Sequence, residues 1–248
     1  MAIVKCNWSG GKDSSCATHL HLTRGDKCIV CCYVPMFTKE IPLILKQHYE
    51  FILQTAERFK SMGADVHIVS GMTYWDYVTH IKQKGDYKGE IMGFPSYITG
   101  QCTFKNYSKI KALETLTKNV EYDYIDIGIA FDETDRHSQL NDKKRSILVE
   151  KKFTEQMALE YCRANLLHSP LYTKYKRDGC VLCPQKRSGE RVEWFNQYPE
   201  AFQLVLELQE IVKKQKTIHL FPLRNNRWFI EEDLQVNMFD KGTRWIIN

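Results

Sequence analysis

Ala2-Ile3-Val4-Lys5-Cys6-Asn7-Trp8-Ser9-Gly10-Gly11-Lys12-Asp13-Ser14-Ser15 is an apolar run that ends in a double glycine and continues as a helix-forming segment. A strand delivered into a glycine turn at a helix start grips phosphate. Gly10 and Gly11 have no Cβ, so the backbone can bend sharply and bring its N–H groups against an anion, with the positive end of the helix dipole behind them. Ser9, Ser14 and Ser15 add hydroxyl donors and Lys12 adds a cation. Asp13 could either cap the helix or hold a magnesium ion that bridges phosphates. The plainer alternative is a strand-turn-helix with an Asp/Ser cap and no ligand, which leaves the coincidence of glycines, hydroxyls and acid unexplained.

The chain carries neither GxxxxGK[ST] nor the GxGxxG of dinucleotide folds. Its Ser9-Gly10-Gly11-Lys12-Asp13-Ser14 resembles the PP-loop, the SGGxDS pyrophosphate-gripping signature of the adenine nucleotide alpha hydrolase-like superfamily. That superfamily includes ATP pyrophosphatases, tRNA thiolation enzymes and phosphoadenylyl-sulfate (PAPS) reductases. The resemblance implies an adenine nucleotide, ATP with Mg2+, held by its phosphates at Ser9, Gly10, Gly11, Lys12, Asp13, Ser14 and Ser15.

Around this turn, apolar runs alternate with helical patterns, the signature of a parallel sheet covered by helices. The patterning predicts strands at 3–8, 28–34, 66–69 and 124–130, and helices at 13–24, 43–62, 74–84 and 107–118. Gly25, Gly63 and Gly85 fall just past three of the helices, where a left-handed cap residue belongs. The stretch 85–104 has no period and reads as a long loop. Beyond it, 154–164 is helical, 166–185 irregular, and 190–216 helical with an interruption near Pro199. The fold class is therefore α/β, a parallel twisted sheet flanked by helices (Rossmann-like, of PP-loop type). It divides into a nucleotide-binding domain at 1–150 and a helical C-terminal appendage with the CxxC turn at 151–248, packed on the first or forming one domain with it.

Composition sets outer bounds. With 248 residues, 43% hydrophobic and 26% charged, the chain can bury a sizeable core. Its longest apolar stretch, 28–36, is too short for a membrane span, and the N-terminus reads as a core strand rather than a signal sequence, so a cytoplasmic location without membrane contact is expected. Nine cysteines in such a setting read as buried thiols or ligands, not a disulfide framework. The net charge of +5 is unevenly placed, because 142–191 holds twelve Lys/Arg against six Asp/Glu. With Tyr172 and Tyr175 interleaved, this segment could face a polyanion such as tRNA or DNA, or could be a solvated basic face. An oligomer is compatible with all of this.

Two further segments carry chemistry. After the strand at 124–127 comes Gly128-Ile129-Ala130-Phe131-Asp132-Glu133-Thr134-Asp135-Arg136, and a glycine and polar loop at the carboxyl end of a parallel strand lies over the ligand crevice. It resembles the G-I-R-x-x-E-S-x-x-R loop of PAPS reductase-like proteins, with Gly128, Glu133, Thr134 and Arg136 on matching positions and Ala130 where that family has arginine. The second is Gly179-Cys180-Val181-Leu182-Cys183-Pro184, a CxxC whose sulfurs suit a shared metal, a redox pair or a stiffened turn. Two thiolates do not close a site, so Cys102 and Cys162 are the candidates to complete it. Gln101-Cys102-Thr103 looks like the family's C-T-x-x-x-K segment, and the resemblance includes members holding a four-iron cluster, so an iron-sulfur cluster or Zn2+ at Cys102, Cys162, Cys180 and Cys183 is expected. Glu193-Trp194 through Tyr198-Pro199-Glu200-Ala201-Phe202 resembles the family's E-W…Y-P-E-x-F.

The resulting expectation is an enzyme that cleaves ATP between the α- and β-phosphates, adenylylates an acceptor and feeds sulfur transfer, with Lys12, Asp13 and Arg136 acting at the reacting phosphates. The rivals are a sulfonucleotide (PAPS) reductase and a non-catalytic nucleotide binder. Sulfonucleotide reductases use a cysteine near the C-terminus, and no cysteine follows Cys183 here.

Overall fold

A computed structural model describes residues 2–95, 97–98, 101–118, 120–183 and 188–214. In chain order it contains β1 (Ile3–Trp8), α1 (Lys12–Arg24), β2 (Lys27–Tyr33), α2 (Lys46–Ser61), β3 (Asp65–Val69), α3 (Tyr74–Thr79), β4 (Tyr97–Ile98), β5 (Gln101–Cys102) and α4 (Thr103–Lys105). A π-helical stretch, Asn106–Ile110, then leads into α5 (Lys111–Thr117) and β6 (Tyr124–Ile127). A 3-10 helix (Thr134–Gln139), β7 (Lys144–Arg145), α6 (Ile147–Glu150), α7 (Glu155–Ala164), a 3-10 turn (Pro170–Thr173), α8 (Ser188–Gln197) and α9 (Pro199–Lys213) complete it.

Five strands form one sheet in the order β3-β2-β1-β6-β7, every pair parallel. β1 is the centre, and four of its six residues are buried, on both faces, as a central parallel strand requires. From β1 the chain winds outward through β2 and β3 on one side and later through β6 and β7 on the other. The order reverses between β1 and β6, so the crevice beyond their carboxyl ends is the switch point at which open α/β sheets take ligands. The Rossmann-like expectation is met.

The expected elements hold with local differences. The strand expected to reach residue 130 stops at Ile127, where Ile129 N–H turns back onto the Ile127 carbonyl and leaves the ladder. The helix expected at 74–84 ends at Thr79, because His80 is extended and Ile81 bridges Ile91. Gly85 therefore sits in a turn, not at a helix end, and 85–104 holds this bridge and the β4-β5 hairpin. The helix expected at 107–118 starts as the π-helical stretch.

Two compact units cut the chain otherwise than at residue 150: unit 1 takes 1–35, 46–71 and 108–179, and unit 2 takes 36–45, 72–107 and the described residues from 180 on. The reason is packing, since α7 lies on α1 and the 170–173 turn on α2, which carries them into the sheet unit. In unit 1, Trp8 meets Phe59 edge-on at 5.2 Å and its indole N–H donates to Ser15 Oγ at 2.9 Å. In unit 2, the fully buried Trp194 donates to the Pro42 carbonyl at 2.9 Å and meets Phe37 edge-on at 5.4 Å. Pro199 at the first position of α9 makes the interruption expected there. Among the described residues no helix is long and apolar enough to cross a membrane.

The far end of α1 is tied to the sheet by a buried charge cluster. His21 Nδ1 lies 2.9 Å from Asp26 Oδ2, and its Nε2 lies 3.2 Å from Asp126 Oδ1 on β6, close but off the line of a hydrogen bond. Burial opposes the imidazolium, yet Asp126 and Asp26 overcome it and hold the His21 pKa above its ordinary value. A raised folded pKa contributes stability that is fully present below the unfolded value, about 6.5, and is lost as pH rises through the folded one. The melting-temperature gap between wild type and His21→Gln should therefore be wider at about pH 6 than at about pH 9. An equal or reversed gap would refute a charged His21.

Candidate functional site

The turn after β1 is built as the sequence requires. Gly10 has φ +77°, a left-handed conformation that side chains avoid, and a Cβ there would lie 2.8 Å from Ile52 Cγ1 and 3.0 Å from His48 Cε1. The missing side chain thus makes room for α2 rather than for the anion itself. Gly11 is the N-cap of α1 and no side chain caps the helix, so of the two roles open to Asp13 the cap is not the one it fills. The turn is laced by its own serines: Ser9 N–H donates to Ser14 Oγ at 3.2 Å, Ser14 Oγ donates to the Gly11 carbonyl at 3.1 Å, and Gly11 N–H donates to Ser9 Oγ at 3.3 Å. Ser15 differs from the expectation. It is fully buried and its hydroxyl accepts from Trp8, because one further step around the helix turns it from the crevice to the core.

Gly128 ends β6 against the first turn of α1, where an added Cβ would stand 2.5 Å from Ser14 N and 2.8 Å from the Asp13 carbonyl carbon. That backbone approach brings the loop after β6 to the turn after β1. Within it Glu133 Oε2 accepts from Ala130 N–H at 3.0 Å and Glu133 Oε1 binds Arg136 Nη1 at 2.7 Å. Arg136 is therefore committed to Glu133, and Thr134 is exposed at the start of the 3-10 helix. Ala130 is fully buried, and an arginine at this position would have to displace its neighbours.

Sequence reading did not single out Glu155, the first residue of α7. Asp13, Glu133 and Glu155 each place a carboxylate oxygen within 4.8 Å of the others, and among the described residues they are the group of three or more acid, histidine or cysteine side chains arranged this way. Lys12 Nζ lies 2.8 Å from Asp13 Oδ2 and 3.0 Å from Glu155 Oε1. Burial works against its charge, but these acids overcome it and raise its pKa. Asp13 is also held above the usual carboxylate range, first by burial and further by Glu155 and Glu133, with Lys12 pulling the other way. Lys12 serves Asp13 and Glu155 while Arg136 serves Glu133, so three carboxylates meet two cations and the cluster has acid to spare for a hard, oxygen-seeking cation such as Mg2+.

The cysteines separate. Cys162 belongs to unit 1, where its fully buried thiol donates to the Lys12 carbonyl at 3.1 Å and also bonds Cys16, whose own pKa that bond, first of all, pushes up. Cys102, Cys180 and Cys183 belong to unit 2. Cys183 N–H closes a turn onto the Cys180 carbonyl at 3.2 Å, and Val181 and Leu182 between them are buried, which is the structural alternative for the CxxC. Zn–S bonds of about 2.3 Å place tetrahedral sulfurs about 3.8 Å apart, and no three of the described thiols meet that spacing. Tyr74 in unit 2 is almost completely buried, and its hydroxyl has no hydrogen-bond partner among the described residues. Its pKa is pushed up by burial first, then by Cys102, Cys180 and Cys183.

A surface recess of about 540 Å³ lined by Ile3, Thr117, Lys118 and the 120–123 segment lies at the amino ends of β1 and β6, opposite the switch point. No family model and no curated protein matches the chain. Among solved structures the chain is similar to a 4-thiouridine synthetase bound to RNA and ATP, at 16% identity and a TM-score of 0.42. The likeness covers 87% of this chain and spans about half (54%) of that one. It decides nothing. The α/β architecture rests instead on the strand order itself.

The two glycines give a direct comparison. Gly128→Ala forces a Cβ onto backbone, whereas Gly10→Ala meets side chains and pays about 1–3 kcal/mol for its left-handed φ. Urea unfolding should find both variants destabilised and Gly128→Ala the more so; a Gly128→Ala protein as stable as wild type would contradict the close approach.

Proposed function

We propose that unit 1 binds ATP with Mg2+ and cleaves it between the α- and β-phosphates, transferring the adenylyl group to an acceptor. The observation that carries this reading is the meeting of the uncapped start of α1, at the glycine turn, with a three-carboxylate cluster at the switch point of a parallel sheet. Ser9, Gly10, Gly11 and Ser14 receive the pyrophosphate end. Lys12, now on Asp13 and Glu155, swings to the phosphates as charge develops on the leaving oxygen. Asp13 with Glu133 and Glu155 would hold Mg2+, which would supply charge neutralisation on that pyrophosphate. Gly128 keeps the loop after β6 close enough for Glu133 and Thr134 to border the nucleotide, and Arg136 orients Glu133. The residues thus work by positioning and by neutralising charge.

The sulfur-transfer part of the reading is supported by Cys102, Cys180 and Cys183 sharing unit 2 with the orphaned Tyr74 hydroxyl, and an iron-sulfur cluster there is proposed on the same ground. The acceptor is proposed to be a nucleic acid, tRNA before DNA, because Lys143, Lys144, Arg145, Lys151, Lys152, Lys174, Lys176 and Arg177 are exposed on unit 1. Lys186 and Arg187 lie outside the described residues, as does the segment after Lys214.

Radiolabelled ATP should yield pyrophosphate, and Lys12→Ala should weaken ATP binding by about tenfold, roughly 1.4 kcal/mol. Asp13→Asn should raise the Mg2+ concentration needed for half-maximal turnover. Pyrophosphate release unaffected by both substitutions would remove the reading. Gel-shift titration with total tRNA at about 50 mM salt should show binding that weakens steeply as salt rises, and reversing charge at Lys174, Lys176 and Arg177 should flatten that slope. The absence of a shift at micromolar protein would exclude the nucleic-acid acceptor.

A further inference from the structure

One donor of the glycine turn, the Ser9 hydroxyl, already faces an anion, and that anion is part of the chain. Asp178 Oδ2 lies 3.5 Å from Ser9 Oγ and 3.9 Å from His48 Nε2. A Cβ added to Gly11 would stand 3.2 Å from the same oxygen and 3.3 Å from the Tyr172 hydroxyl, so carboxylate and phenol both sit directly over the turn. Tyr172 is close enough to the Lys12 backbone for a hydrogen bond. Its pKa is pushed up mainly by burial and then by the charges of Asp178 and Asp13.

His48 is fixed from behind. Ser169 is fully buried, its Oγ accepts from Leu171 N–H at 3.3 Å, and it lies 2.8 Å from His48 Nδ1. A buried hydroxyl proton needs an acceptor, and among the described residues Nδ1 is the one in reach. Ser169 therefore donates to Nδ1, which places the proton of a neutral His48 on Nε2, facing Asp178. The carboxylate thus lies over the glycine turn beside a serine hydroxyl and an imidazole N–H, two donors a phosphate oxygen would take. It is also able to leave: its side chain is 30% exposed, and the next residue, Gly179, has φ +112° and open space around it.

We infer that Asp178 is a built-in competitor for the phosphate seat, holding it in the nucleotide-free protein and yielding it when phosphate enters, after which Ser9 Oγ and His48 Nε2–H turn to phosphate oxygens. The inference rests on the reading of this turn as a phosphate site. A seat that is open only part of the time weakens apparent affinity by that fraction, so removing the charge while keeping the shape should tighten binding.

The test is calorimetric titration of the full chain with inorganic pyrophosphate in EDTA, then with ATP and Mg2+, comparing wild type, Asp178→Asn, Asp178→Ala and Asp135→Asn. Asp135 is an exposed acid outside the donor set and reports the general effect of one lost charge. Both Asp178 variants should bind both ligands on the order of five- to tenfold tighter, with Asp135→Asn changed by less than about twofold. Binding that is unchanged or weaker in the Asp178 variants, as a metal ligand or a substrate contact would give, overturns the inference and leaves the phosphate site standing; so does an equal gain in Asp135→Asn. Folded wild-type and Asp178→Asn proteins that both fail to bind either ligand overturn the phosphate site and the inference together.

Discussion

The contact on which the rest of unit 1 depends is backbone against backbone, Gly128 at the end of β6 lying on the first turn of α1. β1 and β6 are neighbours because β1 is central and the chain returns to its second edge only after β3. Parallel pairing then puts both carboxyl ends on one side, and a residue without a side chain lets the two loops close. The meeting of the loop after β6 with the turn after β1 follows from that approach. Glu133 reaches Asp13 because its loop starts there, and α7 adds Glu155 from the side because it packs on α1.

Charge governs what this arrangement does. The anion-seeking end of α1 is surrounded by acids: Asp13, Glu133 and Glu155 on one side and Asp178 on the other. Lys12 is turned to Asp13 and Glu155, Arg136 to Glu133, and Ser9 toward Asp178. The Asp13 pKa is raised first by burial and further by Glu155 and Glu133, against the pull of Lys12.

The cysteines follow another logic. Cys6, Cys16, Cys28, Cys31, Cys32 and Cys162 are buried as small apolar side chains in unit 1. Those of unit 2 stand near a buried tyrosine hydroxyl that lacks a partner among the described residues, a polar group costly to leave there.

The sequence by itself determined the alternation of strand and helix, the parallel sheet, and the turn from Ser9 to Ser14, because each is written in local period, in glycines and in apolar runs. It did not determine which side of the helix Ser15 takes in the crevice or core, where the strand after 124 ends, or how the chain divides into units, since these are set by what packs on α1 and by hydrogen bonds between distant carbonyls and amides. Glu155, His48, Ser169 and Asp178 carry no local signal at all. Residues 13, 133 and 155 become one acidic cluster, and residues 9, 48 and 178 one seat, only because the sheet order and the packing of α2, α7 and the 170–179 segment bring them there. Side-chain chemistry was legible in one dimension, and the tertiary structure decided which groups share a charge.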